Sequence, residues 1–366
     1  MKKFISIILA SGMILSSTGA LAKEITVDEA VEYALENSLE FAKKEAEIAA
    51  NKYTSYDASK TQKNLRKNPF LEVNSFDTYL VLQGYYADAS KLALTVAERA
   101  EADLRVSTAN SVKNDFYTYL NSVRSVELAE ENLSISEENL HAAKQRRESG
   151  TISELDFKSF ELAYNGAENA VSSARRTRDF NLQKLKNTIN YKEEDELVPV
   201  GEFVYAPSEP VPFEVAIEKS RSGNTYLNLK DSLALAEKRW YWAYRHYNAS
   251  VNAYKVEKAS YDQAQADFSI NVNNFDLNIR NVYNSLLSLN EQIQYMTEYA
   301  DYLKATADSM YLRYEMGLVT AKDYRQVQQE YFTAQNDLNQ LELTYVVTNM
   351  SYEALFKSGT EDTVNE

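Results

Sequence analysis

The chain has 366 residues, with 39 Lys and Arg against 54 Asp and Glu, so its formal net charge is −15. The absence of Cys excludes disulfides, thiolate metal sites and Cys nucleophiles. The acidic balance argues against a nucleic-acid partner, because phosphates attract Lys and Arg. With only 9 Gly, 5 Pro and 2 His, the chain offers little for a turn-rich compact fold or for His-based catalysis.

The first 22 residues have the pattern of a secretory signal peptide. Lys2 and Lys3 precede an apolar run over residues 4–15, and residues 20–22 (Ala-Leu-Ala) form a small-residue cleavage motif. The apolar run is short for a membrane span, which needs about 20 residues. We therefore expect cleavage after Ala22 and export of the chain, with an uncleaved anchor as the alternative.

Helical patterns follow this leader. Thr26 and Glu29 form a capping-box sequence that predicts the start of a first helix. The segment between Gly84 and Gly150 contains no strong helix breaker, and its apolar residues recur at seven-residue spacing, at Val112, Tyr119, Val126, Leu133 and Leu140. These features predict one amphipathic helix of about 95 Å. A helix of that length indicates a rod-shaped molecule.

A sharp helical turn is predicted at Gly150. Glycine is the preferred left-handed residue after a helix end. Ser153 and Asp156 then read as a cap for a returning helix, and a matching turn is predicted at Gly317, followed by Thr320 and Asp323.

The sequence contains an internal repeat. An offset of 167 residues aligns positions 112–170 with the second half, so that Arg146, Glu148, Gly150 and Asp156 fall on Arg313, Glu315, Gly317 and Asp323. An earlier offset of 186 aligns residues 27–31 with residues 213–217, which indicates 19 extra residues in the first copy between positions 41 and 112.

Proline marks the boundary between the two copies, because four of the five Pro lie between Pro199 and Pro212. We expect a signal peptide over residues 1–22, a first helical-hairpin repeat over 23–198 and a Pro-rich joint over 199–212. A second helical-hairpin repeat over 213–357 and a polar tail over 358–366 complete the expected organisation.

Two segments of the second copy allow two interpretations. The aromatic run from Trp240 to Tyr247, beside Arg239 and Arg245, suits either packing between helices or a belt at a membrane surface. Residues 268–279 alternate as a strand would, yet they also fit helical spacing, and we favour the helix because the 167-residue register continues through them.

Two tandem copies of this pattern resemble the TolC-like outer-membrane efflux proteins. Residues 25–37 are similar to the N-terminal motif of that family, and residues 147–156 and 313–323 are similar to its two hairpin tips. The resemblance implies a homotrimer whose helices enclose a tunnel, with the tips facing the inner membrane. It also implies two partners, a periplasmic adaptor (membrane fusion) protein and an inner-membrane transporter.

The chain departs from the family where β-barrel strands are expected. The window from Pro69 to Gly84 is short for two strands of about 9–11 residues each, and the corresponding window of the second copy reads as helix. We therefore expect an all-α fold of elongated antiparallel long-helix hairpins in two tandem repeats, with the β-barrel strands absent or vestigial. The resemblance places such a chain in the cell envelope.

The resemblance also implies candidate sites at the tips. Asp323, with Asp156 in the first copy, matches the acidic residues of the tunnel entrance, and Tyr314 matches a gate tyrosine. The family's second acidic position is Gln326 here, and its gate arginine is Val319. The alternative role for both Asp residues is to cap the helices that begin there. Adaptor docking is expected at the six tip residues Gly150, Thr151, Ile152, Gly317, Leu318 and Val319.

The sequence predicts no catalytic site and no bound cofactor or metal, because no nucleophile motif, phosphate loop or metal-spaced set is present. Our leading hypothesis is a non-enzymatic duct subunit of an efflux or type I secretion assembly. The alternative is a structural spacer protein of the cell envelope that conducts nothing.

Overall fold

A computed structural model describes residues 23–68, 71–201, 203, 205 and 209–356. The signal peptide and the polar tail predicted from the sequence lie outside these residues. In chain order the elements are β1 (Lys23–Ile25), α1 (Val27–Asn37), α2 (Leu39–Arg66), α3 (Phe76–Gln83), α4 (Tyr85–Glu148), α5 (Glu154–Thr188), β2 (Leu197–Pro199), α6 (Phe213–Ser220), α7 (Asn224–His246), α8 (Asn252–Glu315) and α9 (Ala321–Ala354).

Two helices of 64 residues, α4 and α8, run the length of the molecule. Each corresponds to about 96 Å of helix. The shorter helices α2 and α5 pack along successive halves of α4, and α7 and α9 pack in the same way along α8. Because α4 also contacts α7 and α9, the helices form one curved layer in which α2 and α5 come first, then α4, then α7 and α9, then α8, with a smaller direct contact between α5 and α9.

The two long helices run in the same direction. Contacts between α4 and α7 are antiparallel, since Arg99 pairs with Asp231 (2.7 Å) and Lys238 pairs with Asp88. Because α7 is in turn antiparallel to α8, both helical turns at Gly150 and Gly317 lie at one end of the layer. The loop between α7 and α8 lies at the opposite end, beside α3.

Apolar seams hold the layer together. Buried residues of α8 recur every seven positions, at Ile279, Leu286, Ile293, Ala300 and Ala307. A second core lies beside the middle of α4, where β1 and β2 form a parallel pair with Lys23 opposite Leu197 and Ile25 opposite Pro199. Ile25, Ala30, Val112 and Leu185 are buried together in this second core.

The structure confirms the helical fold predicted from the sequence. Residues 268–282 lie within α8, so the helical interpretation of this segment is confirmed. The first-copy window forms α3 over Phe76–Gln83, and β1 and β2 are the strands found among the described residues. Part of the extra chain in the first copy is therefore α3 with its preceding loop.

None of the described helices combines the length and the apolar character that crossing a bilayer would require.

Candidate functional site

Two nearly identical turns form the tips, defined here as residues 149–153 and 316–320. The Thr151 N–H donates to the Arg146 carbonyl (2.8 Å), and the Leu318 N–H donates to the Arg313 carbonyl (2.8 Å). Both Gly150 and Gly317 have a φ of 72°. A Cβ added at either glycine would meet no atom within 4 Å, so it is the left-handed backbone and not lack of space that favours glycine here.

The returning helices are capped as the sequence predicts. The Ser153 hydroxyl accepts from the Asp156 N–H (3.0 Å), and the Thr320 hydroxyl accepts from the Asp323 N–H (3.2 Å). Asp323 completes a reciprocal capping box by accepting from the Thr320 N–H (3.3 Å). The Asp323 carboxylate therefore takes part in a helix cap, whereas the Asp156 carboxylate accepts from the Ser153 hydroxyl (2.7 Å) and leaves the box at the first tip one-sided.

The two tips are joined across the repeat boundary by charged and aromatic side chains. Arg146 of α4 forms an ion pair with Glu315 of α8 (2.6 Å), and its guanidinium lies 4.8 Å from the ring centre of Tyr314. The Tyr314 ring also contacts Phe160 at a centroid distance of 5.8 Å and stacks on Tyr324 at 6.0 Å. Tyr314 thus lies at the junction of the two hairpins.

Burial controls the ionisation of this junction. Burial raises the pKa of Tyr314, while the nearby Arg146 partly opposes the increase, so the phenol is neutral at physiological pH. Burial lowers the pKa of Arg325, whose guanidinium donates to the Ser159 carbonyl and lies over Phe160. Two cations, Arg146 and Arg325, therefore bridge the first and second hairpins.

A cavity of about 350 Å³ lies behind the tips, between α4, α8 and α9. Tyrosines and carboxylates line much of it, including Tyr311, Tyr324, Glu138 and Asp308. A larger uncharged groove of about 730 Å³ runs between α4, α5 and α9, nearer the middle of the rod.

Apolar side chains project into solvent at the tips and in the adjoining first turn of α5. Leu155 is 80% exposed, Leu318 is 69% exposed and Met316 is 66% exposed, whereas Ile152 and Val319 are half-buried. Exposed apolar side chains that cluster at one place are a common feature of protein interaction sites.

The tip glycines, Thr151 and the candidate gate residues Asp156, Tyr314 and Asp323 all lie at this end of the rod. Sequence reasoning did not identify the cross-hairpin pair of Arg146 and Glu315, nor the exposed Leu155 and Met316. The repeat offered one signal, because it aligned Arg146 with Arg313 and Glu148 with Glu315. It gave no means of choosing which arginine pairs with which glutamate.

Comparison with known proteins gives structural matches. No family model and no curated protein matches the sequence. A crystal structure of CusC, described in connection with transmembrane channel formation, matches with a TM-score of 0.73 and 12% identity, covering 93% of this chain and 95% of that chain. The outer-membrane channel OprN matches with a TM-score of 0.73 and 13% identity, covering 91% of this chain and 90% of that chain.

The open state of the MtrE outer-membrane channel of Neisseria gonorrhoeae matches with a TM-score of 0.67 and 15% identity, covering 93% of this chain and 91% of that chain. At such low identity the matches establish the fold alone. The chain therefore has the fold of the TolC-like outer-membrane channels.

Proposed function

We propose that this chain is an exported, non-enzymatic subunit of a ring-shaped duct in the cell envelope, acting in efflux or type I secretion. In this proposal three copies form the ring, and the hairpin tips dock a periplasmic adaptor protein that connects the duct to an inner-membrane transporter. The shared fold with outer-membrane channels supports this proposal.

The observation that carries the proposal is that the helical layer is open at both edges. Helices α2 and α5 pack mainly on α4 and form one edge, and α8 packs on α7 and α9 and forms the other. Each edge has apolar side chains that are more than half exposed. They are Leu39, Tyr53, Tyr56, Leu162 and Phe180 on the first edge, and Val256, Ile270, Leu277, Tyr295 and Tyr302 on the second.

The spacing of the exposed residues on α8 places three of them on one face. Val256, Ile270 and Leu277 are separated by multiples of seven residues, so they share one face of α8, opposite the buried seam at Ile279 and Leu286. Packing the α8 edge of one copy on the α2/α5 edge of the next would bury this α8 stripe and the exposed apolar side chains of the first edge. A head-to-tail contact of this kind closes into a ring when its rotation permits.

The tips supply the proposed docking surface. Leu155, Met316 and Leu318 offer exposed apolar side chains that a helical hairpin of an adaptor could cover. The six tip residues predicted from the sequence, Gly150, Thr151, Ile152, Gly317, Leu318 and Val319, lie beside these side chains.

We further propose that Asp156, Tyr314 and Asp323 contribute to the mouth of the duct. Both cap bonds that Asp323 accepts go to Oδ2, so capping does not require Oδ1. Three such carboxylates around a narrow mouth would produce a negative field that favours cations. The capping and gating roles are compatible.

The mass and shape of the purified exported chain test this proposal. Light scattering on a size-exclusion column should give the mass of a trimer, and negative-stain images should show hollow rods of about 100 Å or more. A solid monomeric or dimeric rod over a wide concentration range would contradict the duct and favour the spacer role.

Docking is tested separately with a tip variant carrying Leu155→Ser, Met316→Ser and Leu318→Ser. Mild solubilisation of the native envelope should recover an adaptor with the unmodified chain and lose it with this variant. Equal recovery from both chains would reject the tips as the docking surface.

A further inference from the structure

The end of the rod opposite the tips carries an aromatic cluster that is only partly explained by packing. Its inner members are covered: Phe76 of α3 contacts Tyr247 (centroids 4.9 Å apart), and Tyr79 meets the edge of Trp242 (6.0 Å). Together with Leu80 and Ala243 these side chains form a small core between α3 and α7. This part of the cluster agrees with the helix-packing interpretation of the sequence.

The outer members of the cluster face solvent. Tyr244 is 63% exposed and Tyr241 is 47% exposed, and both extend from the last turns of α7. Trp240 and Tyr254 lie beside them with centroids 4.9 Å apart, and the Arg245 guanidinium donates to the Tyr241 hydroxyl (3.0 Å). We call these five residues, Trp240, Tyr241, Tyr244, Arg245 and Tyr254, the end patch.

The charge around the end patch differs in sign from that of the whole chain. Residues 63–88 and 237–262 contain eight Lys or Arg and six Asp or Glu, whereas the whole chain has a net charge of −15. Four of the six acids are engaged: Asp88 pairs with Lys238, Glu257 pairs with Arg239 (2.7 Å), Asp262 pairs with Lys258 (2.5 Å), and Asp77 accepts from the Tyr86 hydroxyl (2.8 Å).

The basic groups at this end include exposed ones. Lys67, Arg245 and Lys255 are exposed, and in the described part of the chain none of the three forms an ion pair with a carboxylate. The Debye length is about 8 Å at physiological salt, so the field here is set by the charges of this end and not by those near the tips. An anionic surface at this end would therefore experience a local positive field.

We propose that the end patch binds the surface of an anionic lipid bilayer, so that the rod stands with α3 and the α7–α8 loop against the headgroups. Tyr and Trp side chains favour the headgroup region because they combine an apolar ring with a polar group. Nearby Lys and Arg add attraction to anionic lipids. This inference concerns the end away from the tips and does not depend on the proposed duct.

The two Trp of the chain, Trp240 and Trp242, both lie in this cluster, so tryptophan fluorescence reports on this end alone. The chain is titrated with neutral vesicles of phosphatidylcholine and with anionic vesicles that also contain phosphatidylglycerol. Binding is followed by the wavelength of tryptophan emission and by flotation of the vesicles. We expect a blue shift and flotation with the anionic vesicles, both weakened by added salt. Absence of binding, or equal binding to neutral vesicles, would overturn the proposal.

A set of variants identifies the binding residues. Arg245→Gln should weaken binding to anionic vesicles about fivefold, the effect of one basic group near the surface. Adding Tyr241→Ser and Tyr244→Ser should abolish the blue shift, while circular dichroism stays helical because these side chains are exposed. The matched control is Met316→Ser with Leu318→Ser at the tips, which should bind vesicles as the unmodified chain does.

Two outcomes would assign the patch differently. If the tip control loses vesicle binding as strongly as the end-patch variant, binding is not specific to this end. If the blue shift occurs without vesicles and grows with protein concentration, a second copy of the chain covers the patch. Either result rejects the lipid surface as the partner.

Discussion

At the scale of single residues, the two tip glycines are required by the backbone. Alanine at φ near +72° places Cβ too close to a carbonyl oxygen, at a cost of about 1–2 kcal/mol. We expect Gly317→Ala to lower the free energy of unfolding by this amount in urea titrations.

Gly166 provides the matched control because it lies inside α5, outside the left-handed region, with no atom within 4 Å of an added Cβ. Gly166→Ala should stabilise the chain by about 0.5–1 kcal/mol, since glycine is a poor helix former. If both substitutions change the free energy of unfolding in the same direction, the backbone argument is contradicted.

Tyr352 makes stability depend on pH in the alkaline range. Burial, with added repulsion from Tyr283 and Glu214, raises its pKa to about 12 from a usual value of 10.0. Between these two values the folded state keeps a proton that the unfolded state releases. Stability is therefore complete below about pH 10 and falls as the pH rises toward 12.

Tyr352→Phe tests this linkage. The variant loses the hydrogen bond that the hydroxyl donates to the Val211 carbonyl (2.7 Å), so it should be about 1 kcal/mol less stable at neutral pH. That difference should narrow above pH 10, as the phenol of the unmodified chain ionises on unfolding. A stability difference that stays constant to pH 12 would contradict the raised pKa of Tyr352. The control is Tyr302→Phe, because Tyr302 is exposed and removal of its hydroxyl should not change the pH dependence of stability.

At the scale of helices, the α8 seam should account for much of the stability of the second hairpin. Leu286 is 0% exposed within the seam, whereas its neighbour Leu287 is 38% exposed on another face. Leu286→Ala should cost about 2–5 kcal/mol, because it removes buried methyl groups and leaves a cavity. Leu287→Ala should cost less than about 1 kcal/mol, and thermal unfolding of the two variants distinguishes the positions.

The hairpin tips should separate more readily when their ion pair is removed. Arg146→Gln takes away the pair with Glu315 and the contact with Tyr314, but it leaves both turns intact. Amide hydrogen exchange in residues 313–320 should increase by about fivefold at most, since partly exposed pairs contribute up to about 1 kcal/mol. Residues 279–300 should be unaffected.

Arg175→Gln is the control for this experiment, because Arg175 pairs with Glu130 inside the first hairpin (2.6 Å). It should leave exchange at the second tip unchanged. If both variants raise exchange equally, the cross-hairpin contact is not what holds the tips together.

The sequence predicts elements better than contacts between elements. Seven-residue periodicity and the lack of breakers were sufficient for α4, and the left-handed preference of glycine located both turns. The pairing of Arg146 with Glu315 was not predictable, because the repeat presents equivalent residues in both copies and packing chooses between them. Packing also decided the role of the aromatic run, because contact with α3 partly buries Trp242 and leaves Tyr244 exposed.

At the scale of the whole molecule, a rod of one helical layer cannot bury both faces of every helix. The edge helices α2, α5 and α8 keep apolar side chains exposed, and monomeric proteins rarely expose large contiguous apolar surfaces. The proposed ring of copies would resolve this conflict with one repeated contact, in which each chain offers its α8 edge to the α2/α5 edge of the next.

This argument predicts the effect of charge on the α8 stripe. Ile270→Lys with Leu277→Lys places two cations where the neighbouring chain would pack, and the change recurs at every contact in the ring. We expect the mass from light scattering to fall from the proposed trimer to a monomer, while circular dichroism of that monomer stays helical, since both side chains are exposed.

Met316→Lys with Leu318→Lys is the matched control, because it adds the same two charges at exposed apolar positions outside the proposed contact. It should keep the trimer, so that a loss of assembly in the α8 variant reflects the position of the charges and not their number. An unchanged mass in the α8 variant would show that this stripe is not the contact between chains. Dissociation in both variants would indicate that added charge alone is sufficient to disrupt the ring, and the edge-to-edge contact would then lose its support.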